Sequence, residues 1–431
     1  MNPQAEALNA VIKEKSSTVL ELLSAKGKGI FFPKKGILAQ TAAAKGKKIN
    51  ATIGAAIEDD GTPMRLNSIS KEVNLSPEKV FPYAPSYGRP DMRKQWKEMI
   101  YQKNPALAGK EISLPVTSLA LTHGLSIIGY LFFNEGEKVI LSDLYWGNYN
   151  LAFKNAYGAD FDLFSLFDGD GFGLTSFKEK MLDSSSKIKK VILNFPNNPT
   201  GYTPTSDEIK EIVSIIKESA DAGNKILVVL DDAYFGLVYE EGIEEQSLFA
   251  YLADLDENVL AVKVDGPTKE DYVWGFRVGF ITFGIKNGDA ELYETLEQKT
   301  GGAIRGNISN APNISQSLLL NAYTSPTYQD EKKEKYRIMK ERYGIVKKVL
   351  SDHKEYEEYF KALPFNSGYF MCVKLAEGID GEEVRAVLLD EFDTGIINLN
   401  NVIRVAFSAV SAALVPELFD NLYNACKKVK K

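Results

Sequence analysis

The chain has 431 residues, of which 44% are hydrophobic and 25% are charged. These proportions are typical of a globular protein with a sizeable buried core, and they exclude a fibrous, coiled-coil or disordered chain. The formal net charge is −7, with 58 acidic against 51 basic residues. No general positive field would attract a phosphate backbone, so we expect no nucleic-acid partner.

The chain contains two cysteines and two histidines. Cys372 and Cys426 lie far apart, which excludes a disulfide scaffold or a thiolate metal site and favours the reducing cytoplasm. His123 and His353 are too few for a His-rich metal site. We therefore predict no metal, and we expect acid-base chemistry to depend on lysine, tyrosine or aspartate.

Residues 1–23 mix apolar with charged side chains, so they lack the apolar core of a signal peptide and predict an amphipathic helix. No apolar run reaches the ~18 residues that a membrane span requires. The longest, residues 117–133, is interrupted by His123, Gly124 and Gly129. We expect no membrane partner.

Between residues 113 and 284, short apolar runs alternate with segments of helical length. Runs without polar alternation are typical of strands covered on both faces, which indicates an α/β fold with a mainly parallel sheet. The predicted strands are 138–143, 190–195, 225–232, 259–264 and 277–283. Thr205 and Glu208 form a capping-box pattern that predicts a helix from there towards Gly223.

The last hundred residues have a different pattern. A charged stretch predicts a long helix over 329–348, and strands are predicted over 365–374, 394–400 and 402–407. We predict that residues 1–80 are an N-terminal arm and part of a small domain, that 81–325 form a large domain, and that 326–431 form a smaller α+β domain.

Three segments carry residues suited to chemistry. Asn198 lies in a Pro-Thr-Gly turn after a strand, Asp231 ends a buried strand, and Lys269 follows the next strand, with Arg277 beyond it. Ligands bind at the carboxyl ends of such strands. Each segment alone also has a simple structural explanation, since Asn-Pro-x-Gly forms turns, aspartates cap helices, and a lysine after a Gly-Pro turn is commonly solvated.

Together, the Asn-Pro-Thr-Gly loop, the Asp-x-Ala-Tyr strand end and the Lys and Arg pair resemble the class I/II pyridoxal-phosphate-dependent aminotransferases. Three further segments match the same family, namely 50–54, 83–88 and the strand that carries Arg404. The resemblance implies a large domain with a mainly parallel seven-stranded sheet between helices and a smaller α+β domain. It implies pyridoxal 5′-phosphate as the cofactor.

The resemblance assigns roles around the cofactor ring. Lys269 would hold the cofactor aldehyde covalently, and Asp231 would pair with the protonated ring nitrogen. Asn198 and Tyr234 would hydrogen-bond the phenolic oxygen of the ring. Trp146 matches the aromatic residue that stacks on the ring, although a tryptophan after a strand is also common in a core.

The cofactor phosphate would be held by backbone and side-chain groups. Gly124 and Leu125 would offer free N–H groups at a helix N-terminus, and Arg277 would supply a charge-assisted pair. Many relatives carry Ser-x-Ser before the lysine, where this chain has Gly266 and Thr268. One hydroxyl contact is therefore missing, and Thr268 would keep the other.

Three residues would act across a dimer if the resemblance holds. Tyr83 and Ser309 would come from the neighbouring subunit, which implies a homodimer with shared active sites. Arg305 resembles the arginine that reaches across the dimer to a side-chain carboxylate. It favours aspartate or glutamate as substrate, although dual-specificity relatives move this arginine aside for aromatic substrates.

The α-carboxylate of the substrate would be held nearer the sheet. Arg404 interrupts an apolar strand, and a guanidinium there could bind the carboxylate with two hydrogen bonds. Gly54 could add a backbone N–H, and Asn198 would border the same site. A solvated arginine on an edge strand is the alternative for Arg404.

The sequence therefore predicts an aminotransferase that moves an amino group from an L-amino acid to a 2-oxo acid, such as 2-oxoglutarate, in a ping-pong cycle. A C–S lyase or decarboxylase could use the same residues. A cofactor-binding regulator is a further alternative, but the first 45 residues are too short for a DNA-binding winged helix. A structural oligomer with a decayed site is disfavoured, because the reactive residues are all present.

Overall fold

The computed structural model describes residues 1–30 and 36–430. Its strands are β1 (Ile49–Asn50), β2 (Val116–Ser118), β3 (Lys138–Ser142), β4 (Asp160–Phe164), β5 (Phe167–Asp168), β6 (Gly171–Phe172), β7 (Ile188–Leu193), β8 (Lys225–Asp231), β9 (Val259–Asp265), β10 (Gly279–Gly284), β11 (Phe360–Ala362), β12 (Met371–Leu375), β13 (Thr394–Gly395), β14 (Ile397–Leu399) and β15 (Val402–Val405).

The α-helices are α1 (Pro3–Lys15), α2 (Ser17–Leu22), α3 (Ala25–Gly29), α4 (Ile37–Ala43), α5 (Asn67–Ser70), α6 (Pro77–Val80), α7 (Pro90–Lys103), α8 (Ala120–Phe132), α9 (Leu174–Leu182), α10 (Ser206–Asp221), α11 (Phe249–Leu252), α12 (Pro267–Glu270), α13 (Ala290–Asn307), α14 (Asn313–Tyr323), α15 (Tyr328–Asp352), α16 (Gly381–Glu391) and α17 (Val415–Val429).

The main sheet of the described chain has seven strands in the order β2-β10-β9-β8-β7-β3-β4. The strands are parallel except β10, which runs antiparallel to both of its neighbours. In β8, every residue after Lys225 is buried. Helices therefore cover both faces, which explains the uninterrupted apolar run. The predicted α/β class and mainly parallel seven-stranded sheet are confirmed.

The five strands predicted from apolar runs correspond to β3, β7, β8, β9 and β10. The last begins later than predicted, because Arg277 has a φ of 54° and cannot belong to an extended strand. The residue pattern did not indicate β2 and β4. The first has only three residues, and the second lies at the sheet edge with mostly solvent-accessible residues.

The helix predicted to begin at Thr205 is present, whereas the helix predicted over residues 1–23 is not a single helix. The capping box of α10 is present, with the Thr205 hydroxyl accepting from the Glu208 N–H and the Glu208 side chain accepting from the Thr205 N–H. The single helix predicted over residues 1–23 is wrong. Ser16 is extended, and its hydroxyl caps α2, which divides the segment into α1 and α2.

The C-terminal part contains the long helix α15 and a four-stranded antiparallel sheet in the order β11-β12-β15-β14. β13 instead pairs in parallel with β1, which joins the N-terminal region to this part of the chain. The predicted strand over 394–400 is thus two strands in different sheets. The boundaries predicted at residues 80 and 325 stay a prediction.

The strand predicted over 365–374 begins only at Met371. The residues before it contact the loop after β7, where Asn366 and Ser367 donate their N–H groups to the carbonyl oxygen of Gly201 at 3.0 and 2.9 Å. These bonds replace a strand ladder.

Among the described residues, no helix is both long and apolar enough to cross a bilayer.

Candidate active site

The carboxyl ends of β7, β8 and β9 meet at one edge of the parallel sheet, and each is followed by a polar residue. Asn194 follows β7, Asp231 ends β8, and Lys269 lies on α12 after β9. The side-chain amide of Asn194 donates to the carbonyl oxygen of Asp231 at 2.7 Å and accepts from the N–H of Asn198 at 2.8 Å. Asn194 therefore couples the Asn198 loop to the end of β8, a role that sequence reasoning missed.

Gly201 closes this loop in a conformation that other residues would strain. Its φ is 72°, and a Cβ there would lie 1.9 Å from the carbonyl oxygen of Phe370. Only glycine allows so close an approach of two backbones. The turn thereby presses the loop that carries Asn198 against the segment before β12.

Asp231 is a buried carboxylate with one oxygen occupied and one free. It is 3% exposed, and its Oδ2 accepts a hydrogen bond from the hydroxyl of Tyr149 at 2.5 Å. Its Oδ1 is buried without a partner among the described residues. Burial raises the pKa of Asp231 to about 6, although the Tyr149 bond and the charge of Lys269 oppose this rise. A positively charged donor would satisfy the free oxygen.

Lys269 provides an amine beside this carboxylate. Its Nζ lies 5.0 Å from the centre of the Tyr234 ring, and its carbonyl oxygen accepts from the Tyr369 hydroxyl at 2.9 Å. Burial lowers the pKa of Lys269 to about 8, with Asp231 opposing the shift and Arg277 adding to it. The neutral amine, which is the nucleophilic form, is therefore more populated near neutral pH than in an ordinary lysine.

Arg404 on β15 is a buried cation without an ion-pair partner among the described residues. It is 3% exposed, and its guanidinium donates to Asn198 Oδ1 at 3.3 Å and to the Thr52 carbonyl oxygen at 3.0 Å. It also lies 4.3 Å from the centre of the Phe370 ring, and no described residue hydrogen-bonds its Nε. A buried guanidinium in this state is suited to an incoming anion.

Tyr234 and Gly54 border the same space. Burial raises the pKa of Tyr234 above its ordinary value, while the charge of Arg404 opposes this shift. The phenol therefore stays neutral and can donate a hydrogen bond. A Cβ on Gly54 would lie 4.0 Å from the Tyr234 hydroxyl and 3.4 Å from Phe370. Gly54 and Tyr234 are distant in sequence, and the fold brings them together.

A cleft of about 1440 Å³ has Trp146, Asn198 and Arg404 in its lining. Trp146 is half-buried and meets the Tyr149 ring edge-on, with 5.6 Å between ring centres. The lining also includes Lys26 of the N-terminal segment. Trp146 therefore has part of its ring open to the cleft, where a planar ligand could reach it.

The predicted phosphate contacts need one correction. Helix α8 begins at Ala120, so Gly124 and Leu125 lie in its second turn, where N–H groups bond to carbonyl oxygens within the helix. The prediction that they offer free N–H groups is wrong. His123 also has a structural function, since its Nδ1 accepts from the N–H of Leu119 at 3.0 Å.

The free N–H groups of α8 instead belong to its first turn, at Ala120, Leu121 and Thr122. Thr268 is 3% exposed, and within residues 1–30 and 36–430 its buried hydroxyl oxygen has no hydrogen-bond partner. Arg277 is exposed and donates to the carbonyl oxygen of Trp274 at 3.1 Å.

The residues predicted to act across a dimer do not meet the others within the described chain. Tyr83 is 90% exposed. Ser309 has a φ of 68° and accepts a hydrogen bond from Arg305 at 3.2 Å. Arg305 itself is exposed near the end of α13 and makes no ion pair among the described residues.

The described residues fit a phosphorylated pyridine aldehyde. Lys269 supplies an amine with a lowered pKa, and Asp231 supplies a buried carboxylate oxygen that lacks a donor. The unpartnered hydroxyl of Thr268 suits a phosphate oxygen. Each of these groups lacks a partner that this ligand would provide.

Comparison with known proteins places these features in a family. The model of the family "Aminotransferase class I and II" matches residues 47–422. The chain is 25% identical to the aspartate aminotransferase of Bacillus sp. (strain YM-2), covering 87% of this chain and 89% of that protein. It is 23% identical to a probable aspartate/prephenate aminotransferase of Aquifex aeolicus, covering 81% of this chain and 82% of the relative.

Solved structures agree on the fold. An aminotransferase from Anaerococcus prevotii superimposes with a TM-score of 0.80 at 23% identity, covering 92% of this chain and 95% of that one. An alanine aminotransferase from Pyrococcus furiosus gives 0.75 at 18% identity, with 94% and 99% coverage. Enzymes of the matched family depend on pyridoxal 5′-phosphate. With its family match extending over most of its length, the chain belongs to the class I and II aminotransferases.

Proposed function

We propose that this chain binds pyridoxal 5′-phosphate and transfers an amino group from an L-amino acid to a 2-oxo acid. The observation that carries the proposal is that Lys269 and Asp231 lie close enough for the charge of each to act on the other. An amine with a pKa of about 8 lies near a buried carboxylate that has one unpartnered oxygen. When bound, the cofactor withdraws electrons from the substrate Cα, so that its proton can be removed.

Each residue at this site would have a separate role in binding or proton transfer. Lys269 would hold the cofactor covalently until substrate arrives, after which its Nζ would accept the proton from the substrate Cα and later donate it. Asp231 would keep the cofactor ring nitrogen protonated through Oδ1. Asn198 and Tyr234 would orient the ring from its phenolic side, and Trp146 would cover one face.

The substrate carboxylate would bind Arg404. Arg404 lines the cleft, and its Nε is buried without a partner among the described residues. A buried carboxylate would neutralise this guanidinium, and two parallel hydrogen bonds would set the orientation of Cα. Gly54 would add its N–H. Thr268 and Arg277, with the first turn of α8, would hold the cofactor phosphate.

The reaction would follow a ping-pong cycle. The first amino acid would leave its amino group on the enzyme and depart as a 2-oxo acid, and a second 2-oxo acid would take that group away. We propose 2-oxoglutarate as this acceptor and aspartate or glutamate as the donor. The names of relatives such as the Bacillus aspartate aminotransferase support this choice, and Arg305 supplies a cation for the second carboxylate.

The test follows the visible absorption of the cofactor-loaded protein while single amino acids are added. Aspartate or glutamate should bleach the band and release the matching oxo acid, and 2-oxoglutarate should then restore it, since each half-reaction is complete in itself. Release of ammonia or carbon dioxide instead would indicate a lyase or decarboxylase. A protein that shows no cofactor band would contradict the proposal.

We propose a homodimer in which the partner supplies Tyr83, Ser309 and Arg305 to each site. Tyr83 and Phe81 are 90% and 82% exposed in the single chain, and large exposed apolar side chains commonly mark an interface.

The cytoplasm is the proposed location, since Cys372 and Cys426 are free and buried thiols.

The Arg305→Leu variant should lower kcat/KM for aspartate by about 100-fold, because a charge-assisted pair with the distal carboxylate is lost. Activity with phenylalanine should change little. Mixing this variant with Lys269→Ala should restore aspartate turnover, since a hybrid dimer has one site with both residues intact. Arg337→Leu, an exposed arginine on α15, is the control. An equal loss for both substrates would contradict the role.

A further inference from the structure

The two oxygens of the Asp231 carboxylate have different surroundings. Oδ2 accepts a hydrogen bond from the Tyr149 hydroxyl at 2.5 Å, while Oδ1 is buried and has no partner in the part of the chain that the structure describes. The main chain of Asp231 is also held, because Asn194 donates to its carbonyl oxygen at 2.7 Å. The carboxylate is therefore anchored at one oxygen and open at the other.

Tyr149 is built into the core beneath the cleft. It is 1% exposed and immediately precedes a π-helical turn over Asn150–Asn155. Its ring meets Trp146 edge-on at 5.6 Å and Phe153 at 5.6 Å, and it stacks with Tyr145 at 6.3 Å between ring centres. These contacts hold the ring in the core, with its hydroxyl bonded to Asp231.

The proton of this hydrogen bond belongs to Tyr149. Burial, and then the negative charge of Asp231, raise the pKa of Tyr149 well above its ordinary value. The phenol therefore stays neutral and donates to the carboxylate. A hydrogen bond to the charged form of an acid favours that form, so this contact opposes the effect of burial on Asp231.

We propose that Tyr149 is a positioning residue that keeps Asp231 ionised and directs its free oxygen to the ring nitrogen of the cofactor. The inference rests on the proposed function, since it requires that cofactor. Tyr149 is 1% exposed, and its hydroxyl contacts Asp231, so it would act on the cofactor through that carboxylate. A phenylalanine at this position would keep the ring packing and remove the donor alone.

The other titratable groups near Asp231 show why its ionisation would depend on the hydrogen bond from Tyr149. Asp231 interacts electrostatically with four titratable groups, namely Lys269, Asp232, Tyr234 and Tyr149. Asp232 is already paired with buried Lys263 and with Ser247. Lys269 would lose its role as a counter-charge once joined to the cofactor. Tyr149 then remains the side-chain donor on the protein side of Asp231.

The test measures the dissociation constant of pyridoxal 5′-phosphate from the unloaded protein as a function of pH. Wild type should bind tightly above the pKa of Asp231 and lose affinity as this group is protonated. Tyr149→Phe should weaken binding by about tenfold at pH 7, which corresponds to ~1.4 kcal/mol, and its loss of affinity should begin at a higher pH. Unchanged affinity and an unchanged pH limb would overturn the inference.

A matched control separates this role from general packing. Tyr356 is 2% exposed and donates to Asp420 at 2.5 Å, far along the chain in the C-terminal part. Tyr356→Phe removes a tyrosine-to-aspartate bond of equal length from a buried tyrosine whose partner Asp420 is exposed, and it should leave cofactor affinity and its pH limb unchanged. A similar shift in both variants would show a general effect of the lost hydroxyl and overturn the inference.

A double-mutant cycle gives a second, independent test. If Tyr149 acts through the charge of Asp231, Tyr149→Phe should have little further effect in an Asp231→Asn background, because coupled residues are not additive. An undiminished tenfold loss in that background would also overturn the inference. If wild type itself fails to bind the cofactor, the proposed function fails. If wild type binds and Tyr149→Phe matches it, the role of Tyr149 alone fails.

Discussion

The Lys269→Ala variant should lose amino-group transfer by about 10⁴-fold or more, because one nitrogen serves both as covalent anchor and as proton carrier. The fold should survive, since Lys269 lies half-buried at the edge of the sheet and makes no ion pair among the described residues. Turnover of aspartate with 2-oxoglutarate measures the loss, and circular dichroism checks the fold. Lys210→Ala, at an exposed site on α10, is the control.

The pH dependence of cofactor capture tests the same nitrogen. The pKa of Lys269 is lowered to about 8, and the neutral amine is the form that attacks an aldehyde. The rate of covalent capture by unloaded protein should therefore rise with pH through about 8 and level off above it. Reduction with borohydride and peptide mapping should locate the label on Lys269. Label on another lysine, or steady turnover by Lys269→Ala, would contradict the assignment.

Replacing Asp231 by asparagine should lower kcat by about 10³-fold, similar to the loss of a preorganised electrostatic group in other active sites. Asparagine keeps the size of the side chain but cannot hold a proton on the cofactor ring nitrogen. Affinity for the cofactor should fall as well. Steady-state kinetics and equilibrium titration of the unloaded variant measure the two effects separately.

The stability of this variant gives an independent readout. Burial raises the pKa of Asp231 to about 6. At pH 7 the ionised carboxylate therefore lowers the free energy of unfolding. Asp231→Asn should therefore unfold at the same temperature as wild type or a higher one. A cofactor analogue with a methylated, permanently charged ring nitrogen should restore part of the activity. A variant that is both less stable and not rescued would contradict the role.

Sequence patterns located much of the candidate site because its residues occupy strand ends. β7, β8 and β9 are buried apolar runs that can be recognised without a structure, and Asn198 and Asp231 lie at or just beyond such runs. Lys269 follows the next one. Parallel strands bring their carboxyl ends to one edge, so separate segments of sequence become neighbours. The family resemblance then assigned the individual roles.

Patterns failed where the helix start depends on packing. α8 begins at Ala120 with a φ of 60°, four residues before the glycine that suggested a phosphate loop. Gly124 instead allows the helix to approach the sheet, since a Cβ there would lie 2.9 Å from Val264. A glycine needed for close packing and one needed for an anion site look alike in sequence.

The sequence by itself determined the α/β class, the mainly parallel sheet and the reactive residues at its edge, because apolar periodicity and side-chain chemistry are local properties. Only the tertiary structure decided which polar atoms stay unpartnered. Asp231 Oδ1 is free and Oδ2 is occupied because Tyr149, distant in sequence, reaches it through the core. Hydrogen-bond partners across the fold depend on ångström distances, which no pattern of residue types records.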